Sequence, residues 1–358
     1  MTEEILLRDF QPRPALVVPA HHVPRPRFPA IDAHSHLGKS FGVVEPAMPP
    51  AELIARMDAV NVSAVVDLDG GWGEEILHQR LDSFKAAAPE RFACFGGVAW
   101  ERWAEHPQDF GEWAADRLEA QVRRGAQGLK VWKNLGLKVR DAQGRLVPVD
   151  DPRLDPLWAR AGELGVPVLI HIADPVAFFW PLDGRNERYE ELRAFPDWHF
   201  YGPEYPPFEA LVEGMANVVR RHPRTTFIGA HVGCYPENLG WVGALLDEAP
   251  NFHVDIAARV AELGRQPYSA RRFFLKYADR ILFGTDLIPG AYPLYEVHFR
   301  FLETWDEHFA YSGEEDRPGG QGRWRIYGLG LPDEVLEKVY YRNAARLLGF
   351  REACHMGV

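Results

Sequence analysis

The chain has 358 residues, of which 46% are hydrophobic and 25% charged, the composition of a globular protein with ample material for a core, and disordered and fibrous classes are excluded. Forty Lys and Arg stand against 51 Asp and Glu, a net charge of −11, and such an acidic surface repels phosphate backbones and anionic lipid, so nucleic acid is not an expected partner. The first ten residues lack a basic region followed by an apolar stretch, and no later run reaches the ~18 apolar residues that span a bilayer, so the expectation is a cytoplasmic protein with no membrane partner.

Residues 1–29 form the first unit, in which Pro12, Pro14, Pro19, Pro24, Pro26 and Pro29 remove backbone donors and predict an extended, proline-rich arm on the surface. From residue 30 onward, short apolar or β-branched runs alternate with amphipathic segments. The runs at 30–37, 63–69, 92–99, 128–132, 167–173, 226–232, 252–257 and 281–287 read as strands. Segments 51–60, 109–124, 154–164, 208–221, 241–248 and 269–277 carry apolar residues at steps of three and four and read as helices. Strands alternating with helices predict parallel pairing through right-handed crossovers. Eight such units, with no Gly-rich phosphate loop after the first strand, predict one α/β domain over 30–350, a (β/α)8 TIM barrel. A long insertion at 174–207, rich in Phe, Trp and Tyr, follows the fifth strand on the face where barrel active sites sit. It reads either as a lid or as a small packed satellite of the core. A Gly/Pro-rich stretch from residue 313 then leads to a closing helix at 332–348.

Cys94, Cys234 and Cys354 are too far apart in sequence to suggest a disulfide framework or a Cys-based zinc site, so any metal would be held by His and carboxylates. The sharpest local signal is Ile31-Asp32-Ala33-His34-Ser35-His36. Alternation along a strand sends His34 and His36 to one face, and two imidazoles on one face are half of a metal site. His171, His231 and Asp286 end the fifth, sixth and eighth apolar runs. All five residues therefore fall at the carboxyl ends of strands, where a barrel gathers its reactive groups around one mouth. The pair His21-His22 lies in the arm and reads as surface.

With its HxH in strand 1, single His residues closing strands 5 and 6, Gly284-Thr285-Asp286 in strand 8 and Asn343-Ala344 in the closing helix, the chain resembles the amidohydrolase superfamily. Within it, the chain is similar to the branch of aminocarboxymuconate-semialdehyde decarboxylase, over about residues 31–348. The resemblance implies His34, His36, His171 and Asp286 as ligands of one divalent metal, with His231 beside them handling protons. Imidazole and carboxylate donors suit Zn²⁺ first, with Mn²⁺, Fe²⁺ or Co²⁺ compatible by ligand type. Lys130, closing the fourth strand, has three readings. It is a carboxylated bridge to a second metal, as in two-metal members of the superfamily, a cation for a substrate carboxylate, or a salt-bridged structural residue. Lys133 is an odd number of positions away and is expected to face the other side of the strand.

Arg259, in the loop after strand 7, is either a bidentate anchor for a substrate anion or the partner of Glu262, and nearby Asp255 is an acceptor that orients a ligand or a substrate group. The leading expectation is a metal-dependent hydrolase in which Asp286 and His231 assist a metal-activated water attacking a small-molecule amide, lactone or ester. Its rival is a metal-dependent non-oxidative decarboxylase of a small carboxylic acid, and a remote third reading is a non-catalytic binding barrel. The partner is a small molecule, and barrels of this branch suggest a homodimer.

Overall fold

The computed structural model describes residues 4–6, 9–10, 13–40, 43–44, 48–287, 294–312 and 320–350; Cys354 and the start of the Gly/Pro-rich stretch, 313–319, lie outside them. Among the described residues, eight strands follow one another round a single sheet: β1 (Ala30–Ser35), β2 (Val62–Asp67), β3 (Phe92–Gly96), β4 (Gly128–Val131), β5 (Val168–Ile170), β6 (Phe227–Gly229), β7 (Phe252–Asp255) and β8 (Ile281–Leu282). Every neighbouring pair is parallel. The ring closes where Ala33 donates to the Phe283 carbonyl at 2.9 Å, Asp286 to that of His34 at 2.8 Å, and Ser35 bridges Leu287. This is a (β/α)8 barrel. No helix among the described residues is long and apolar enough to cross a membrane.

The core has two shells. Outward-facing strand residues such as Val65, Leu129, Val131, Ile170, Phe227 and Val254 pack against the helices. The barrel interior is filled by Ile31, Ala33, Val66, Phe95, Leu169, Ile228 and Leu282, and is closed at one end by Ala344, Ala345 and Leu348 of the C-terminal helix. That helix is not the single α-helix expected over 332–348, because a π-helical turn, Lys338–Arg342, separates Asp333–Glu337 from Asn343–Leu348. Buried Asn343 then donates to the carbonyls of Ala278 at 2.7 Å and Ile281 at 2.8 Å, fixing the helix to the start of β8.

Four of the runs that end in chemistry stop being strand sooner than their apolar character suggests. His36, His171, His231 and Asp286 lie just beyond β1, β5, β6 and β8, on the connections rather than in the ladders. In β1 the pairing with β2 slips between Asp32 and Ser35. Ala33 packs in the interior while Asp32 bonds Thr285 Oγ1 at 2.6 Å and the Tyr295 hydroxyl. Strict alternation would send His34 away from the interior, and the register slip is what lets it reach the mouth.

Candidate metal centre and active site

Three imidazoles are anchored through Nδ1. His34 Nδ1 is 2.8 Å from Asp255 Oδ2, His36 Nδ1 is 2.9 Å from Asp69 Oδ1, and His231 Nδ1 is 2.8 Å from the Ala257 carbonyl. An acceptor at Nδ1 orients the ring and turns Nε2 to the mouth, as at metal-binding histidines. The Nε2 atoms of His34 and His36 lie 3.4 and 3.1 Å from one oxygen of Asp286. Ligand atoms of His34, His231 and Asp286 fall within 4.8 Å of one another. His171 packs edge-on against His231 with centroids 4.4 Å apart, and neither of its buried ring nitrogens has a hydrogen-bond partner, Asp174 Oδ1 being 3.6 Å away. All five residues predicted for the site thus share one mouth. The tightest triad includes His231, which the sequence reading set aside for proton handling, and His36 and His171 flank it.

Electrostatics make the cluster hungry for a cation. Burial opposes charging His36, but hydrogen bonds and charges from Asp286 and Asp69 carry it to about 9. Burial would raise Asp286, yet the facing His34, His36 and His231 hold it well below the usual carboxylate range. His231 is pushed well down by burial and by neighbouring His171 and Arg259, and burial takes His171 to about 3, so both rings are neutral donors at pH 7. Three oriented imidazoles, an orphaned fourth and an ionised carboxylate fit a divalent metal of borderline hardness.

The backbone at this mouth is strained. His231, Val232, Gly233 and Cys234 all have φ between +57° and +63°, forming a left-handed turn, and Asp286 (φ +65°) and Ala258 (φ +53°) are left-handed as well. Such a conformation costs about 1–2 kcal/mol at a residue bearing a Cβ, and more at a β-branched one such as Val232. Strain of this kind persists only where surrounding bonds over-determine it.

Lys130 is buried, with Nζ 3.5 Å from His34 Nε2 and 4.4 Å from the centre of the Trp132 ring. It makes no ion pair among the described residues, and burial, opposed by Asp286 and Asp255, brings it down to about 8. Arg259 is buried at the cavity wall, where its Nη1 donates to its own loop's Ala258 carbonyl at 2.8 Å and its Nε has no partner. The expected competitor, Glu262, instead pairs with Arg188 of the insertion. Lys133 departs from the alternation argument. Because β4 ends at Val131, Lys133 lies past the ladder, lines the cavity and pairs with Asp174.

Above the cluster is a cavity of about 470 Å³ with two aromatic walls. On one side Trp132 stacks on His36 at 5.3 Å and on Trp72 at 4.0 Å. On the other, Phe178, Trp198 and Phe200 of the insertion complete the lining with Arg188 and Glu191. The insertion therefore contributes cavity wall as well as buried packing through Leu192, Phe178 and Phe200. Asp69, Asp174, Trp132 and Arg188 were not singled out in the sequence. Asp69 and Trp132 follow the same rule as the histidines, a polar or aromatic residue just after an apolar run, while Arg188 had no local signal.

A family model described as amidohydrolase matches residues 31–350. The chain belongs to the amidohydrolase family. Among solved structures, this amidohydrolase is similar to 2,6-dihydroxybenzoate decarboxylase from Rhizobium, at 17% identity and a TM-score of 0.54 over 90% of this chain and 99% of that one. It is also similar to a dihydroxybenzoic acid decarboxylase from Polaromonas sp. JS666 with bound manganese and the inhibitor 2-nitroresorcinol, at 18% identity and a TM-score of 0.53 over 91% and 98% of the two chains. A TIM-barrel protein from Bordetella bronchiseptica matches at 16% identity and 0.53 over 90% and 98%. At these identities the likeness speaks for the fold. No curated protein matches the chain.

Proposed function

We propose that this amidohydrolase is a metal-dependent non-oxidative decarboxylase of a small, planar carboxylic acid. The observation that carries the reading is Arg259, a buried guanidinium on the cavity wall without a carboxylate partner among the described residues, beside a His/Asp cluster and between aromatic walls. A desolvated cation of this kind favours an incoming anion. The reacting class named for the Rhizobium and Polaromonas structures, hydroxylated benzoates, fits such a slot. This reading places the decarboxylase ahead of the hydrolase expected from the sequence.

His34, His36, His171 and Asp286 would hold one divalent ion, zinc in the first instance and manganese as the alternative, with His231 close enough to exchange roles with a ligand. When bound, the ion supplies Lewis-acid charge for the substrate's oxygen atoms. Arg259 orients the carboxylate, with buried Lys130 as a second cation, while Trp132 and Trp198 hold the flat skeleton and exclude water. In the reaction the bond from carbon to carboxylate breaks, its electron pair stays on the carbon, CO2 leaves and a proton arrives at that carbon. In this reading Asp286 relays that proton from solvent to the carbon, its side chain being 24% exposed against 1% for His34 and 6% for His36. Neutral His231, its Nδ1 held by the Ala257 carbonyl, turns its Nε2 lone pair to the site to hydrogen-bond the proton-bearing group.

The test is CO2 release from a panel of aromatic and dienoic acids by the metal-loaded protein, beside a panel of amides, lactones and esters. Release that is absent in the His34→Ala variant is the expected result, and turnover of the second panel alone would return the hydrolytic reading. Residues 30–350 as one domain with residues 1–29 as its arm, a cytoplasmic location and a homodimer belong to the same proposal, and light scattering tests the last.

A further inference from the structure

Asp255, at the end of β7, has no solvent exposure and no place in the cavity lining, yet it touches two site elements that are not neighbours in the barrel. Its Oδ2 lies 2.8 Å from His34 Nδ1, on β1. Its Oδ1 accepts from the His231 backbone N–H at 2.9 Å, at the start of the left-handed turn after β6, and from the Ala257 N–H at 3.0 Å. Ala257 in turn offers its carbonyl to His231 Nδ1 at 2.8 Å. One carboxylate thus decides which nitrogen of His34 faces the mouth and helps hold the strained backbone that presents His231.

We propose that Asp255 is the positioning residue that sets His34 and His231 together, and that it does so because both of its oxygens act as acceptors. This rests on the functional reading above only in assuming that the two imidazoles work as a pair. Asparagine has the same shape but one acceptor oxygen. Turned either way, its amide points N–H groups at the His34 Nδ1–H or at the backbone N–H groups of His231 and Ala257, so one of the two anchors is lost. A carboxylate needed on one edge only would be replaced by asparagine at little cost.

The experiment compares Asp255→Asn and Asp255→Ala with the wild-type protein by zinc titration in competition with a chelator, and by ¹⁵N spectra of histidine-labelled, metal-free protein with ring signals assigned through His34→Gln and His231→Gln. Both Asp255 variants are expected to bind zinc ten- to a hundredfold more weakly, about the loss seen when an outer partner of a metal ligand is removed. Both should shift the His34 ring and His231 backbone signals together, while Asp69→Asn moves the His36 ring. An Asp255→Asn protein with wild-type zinc affinity and both signals in place overturns the proposal. If neither variant folds, the wild-type spectrum decides alone: His34 protonated at Nδ1 and slow to exchange supports it, and His34 protonated at Nε2 overturns it. A wild-type protein that binds no zinc, manganese or iron would sink the functional reading, while these spectra would still judge Asp255.

Discussion

Asp69 holds His36 by a hydrogen bond of 2.9 Å and is itself held from the other side, its second oxygen accepting from Arg80 Nη2 at 3.0 Å and from the Gly38 N–H at 2.8 Å. Burial alone would raise this carboxyl, but the His36 hydrogen bond and the charges of His36 and Arg80 keep it below its ordinary value. The orientation of a site imidazole therefore depends on a cation on the far side of the strand end.

Replacing that cation tests the dependence. Arg80→Met leaves Asp67 and Asp69 buried with no positive partner but His36. Breaking a buried pair in this way costs about 3–5 kcal/mol, so the urea midpoint of unfolding should fall steeply. A variant as stable as the wild type would show that the network carries no net stability.

Elemental analysis of protein purified without chelator should find about one divalent ion per chain, lost in His34→Ala. Two ions in the wild type would point to a carboxylated Lys130 between them, and Lys130→Ala would then lose one.

Arg259→Gln removes a charge-assisted hydrogen bond to the substrate carboxylate while keeping much of the side chain's length. With such bonds worth about 1.5–3 kcal/mol, KM for the acid should rise roughly tenfold to a hundredfold and kcat should change little. A fall in kcat at constant KM would place Arg259 in the chemical step instead.

Acid should unfold the protein through its buried histidines. Burial lowers His298 to about 4 and His253 to about 3 from 6.5. Because the folded values lie below the unfolded one, the unfolded chain binds more protons between them. The stability these groups lend is complete above pH 6.5 and is lost as pH falls toward 4 and 3. Each contributes up to about 1.4 kcal/mol per pH unit in that window. Denaturant titrations at pH 7.5, 6 and 5 should show the decline, and His253→Phe, whose Nδ1 has no partner to lose, should show a shallower one.

The barrel was legible because its strands are short apolar runs between helical periods, and the five mouth residues stood out as polar groups ending those runs. The helix Leu294–Glu303 was not, since Tyr295, Val297, His298, Phe299, Phe301 and Leu302 are all buried and leave no clear polar face to mark the period. The helix Glu74–Arg80 was also passed over, although Ile76, Leu77 and Leu81 have helical spacing; it runs straight into a π-helical stretch, Leu81–Lys85, that breaks the pattern. Lys133 was misread because the parity of a strand says nothing beyond its last paired residue. The partnerships of His34 with Asp255 and His36 with Asp69 join residues 221 and 33 positions apart, a relation that side-chain type alone does not encode.

The closure of β1 on the segment after β8 also has a consequence for synthesis. Chain emerging from a ribosome can pair β1 with β2 early, but Asp255 and Asp286 follow His34 by more than two hundred residues. Contacts this far apart carry a large loop-closure cost and form late. Until then the apolar faces of β1 and β2 wait without their partners, the state in which nascent chains are most prone to aggregate. The metal-binding mouth is thus among the last features to be assembled, and a ribosome stalled before residue 286 would release a chain unable to form it.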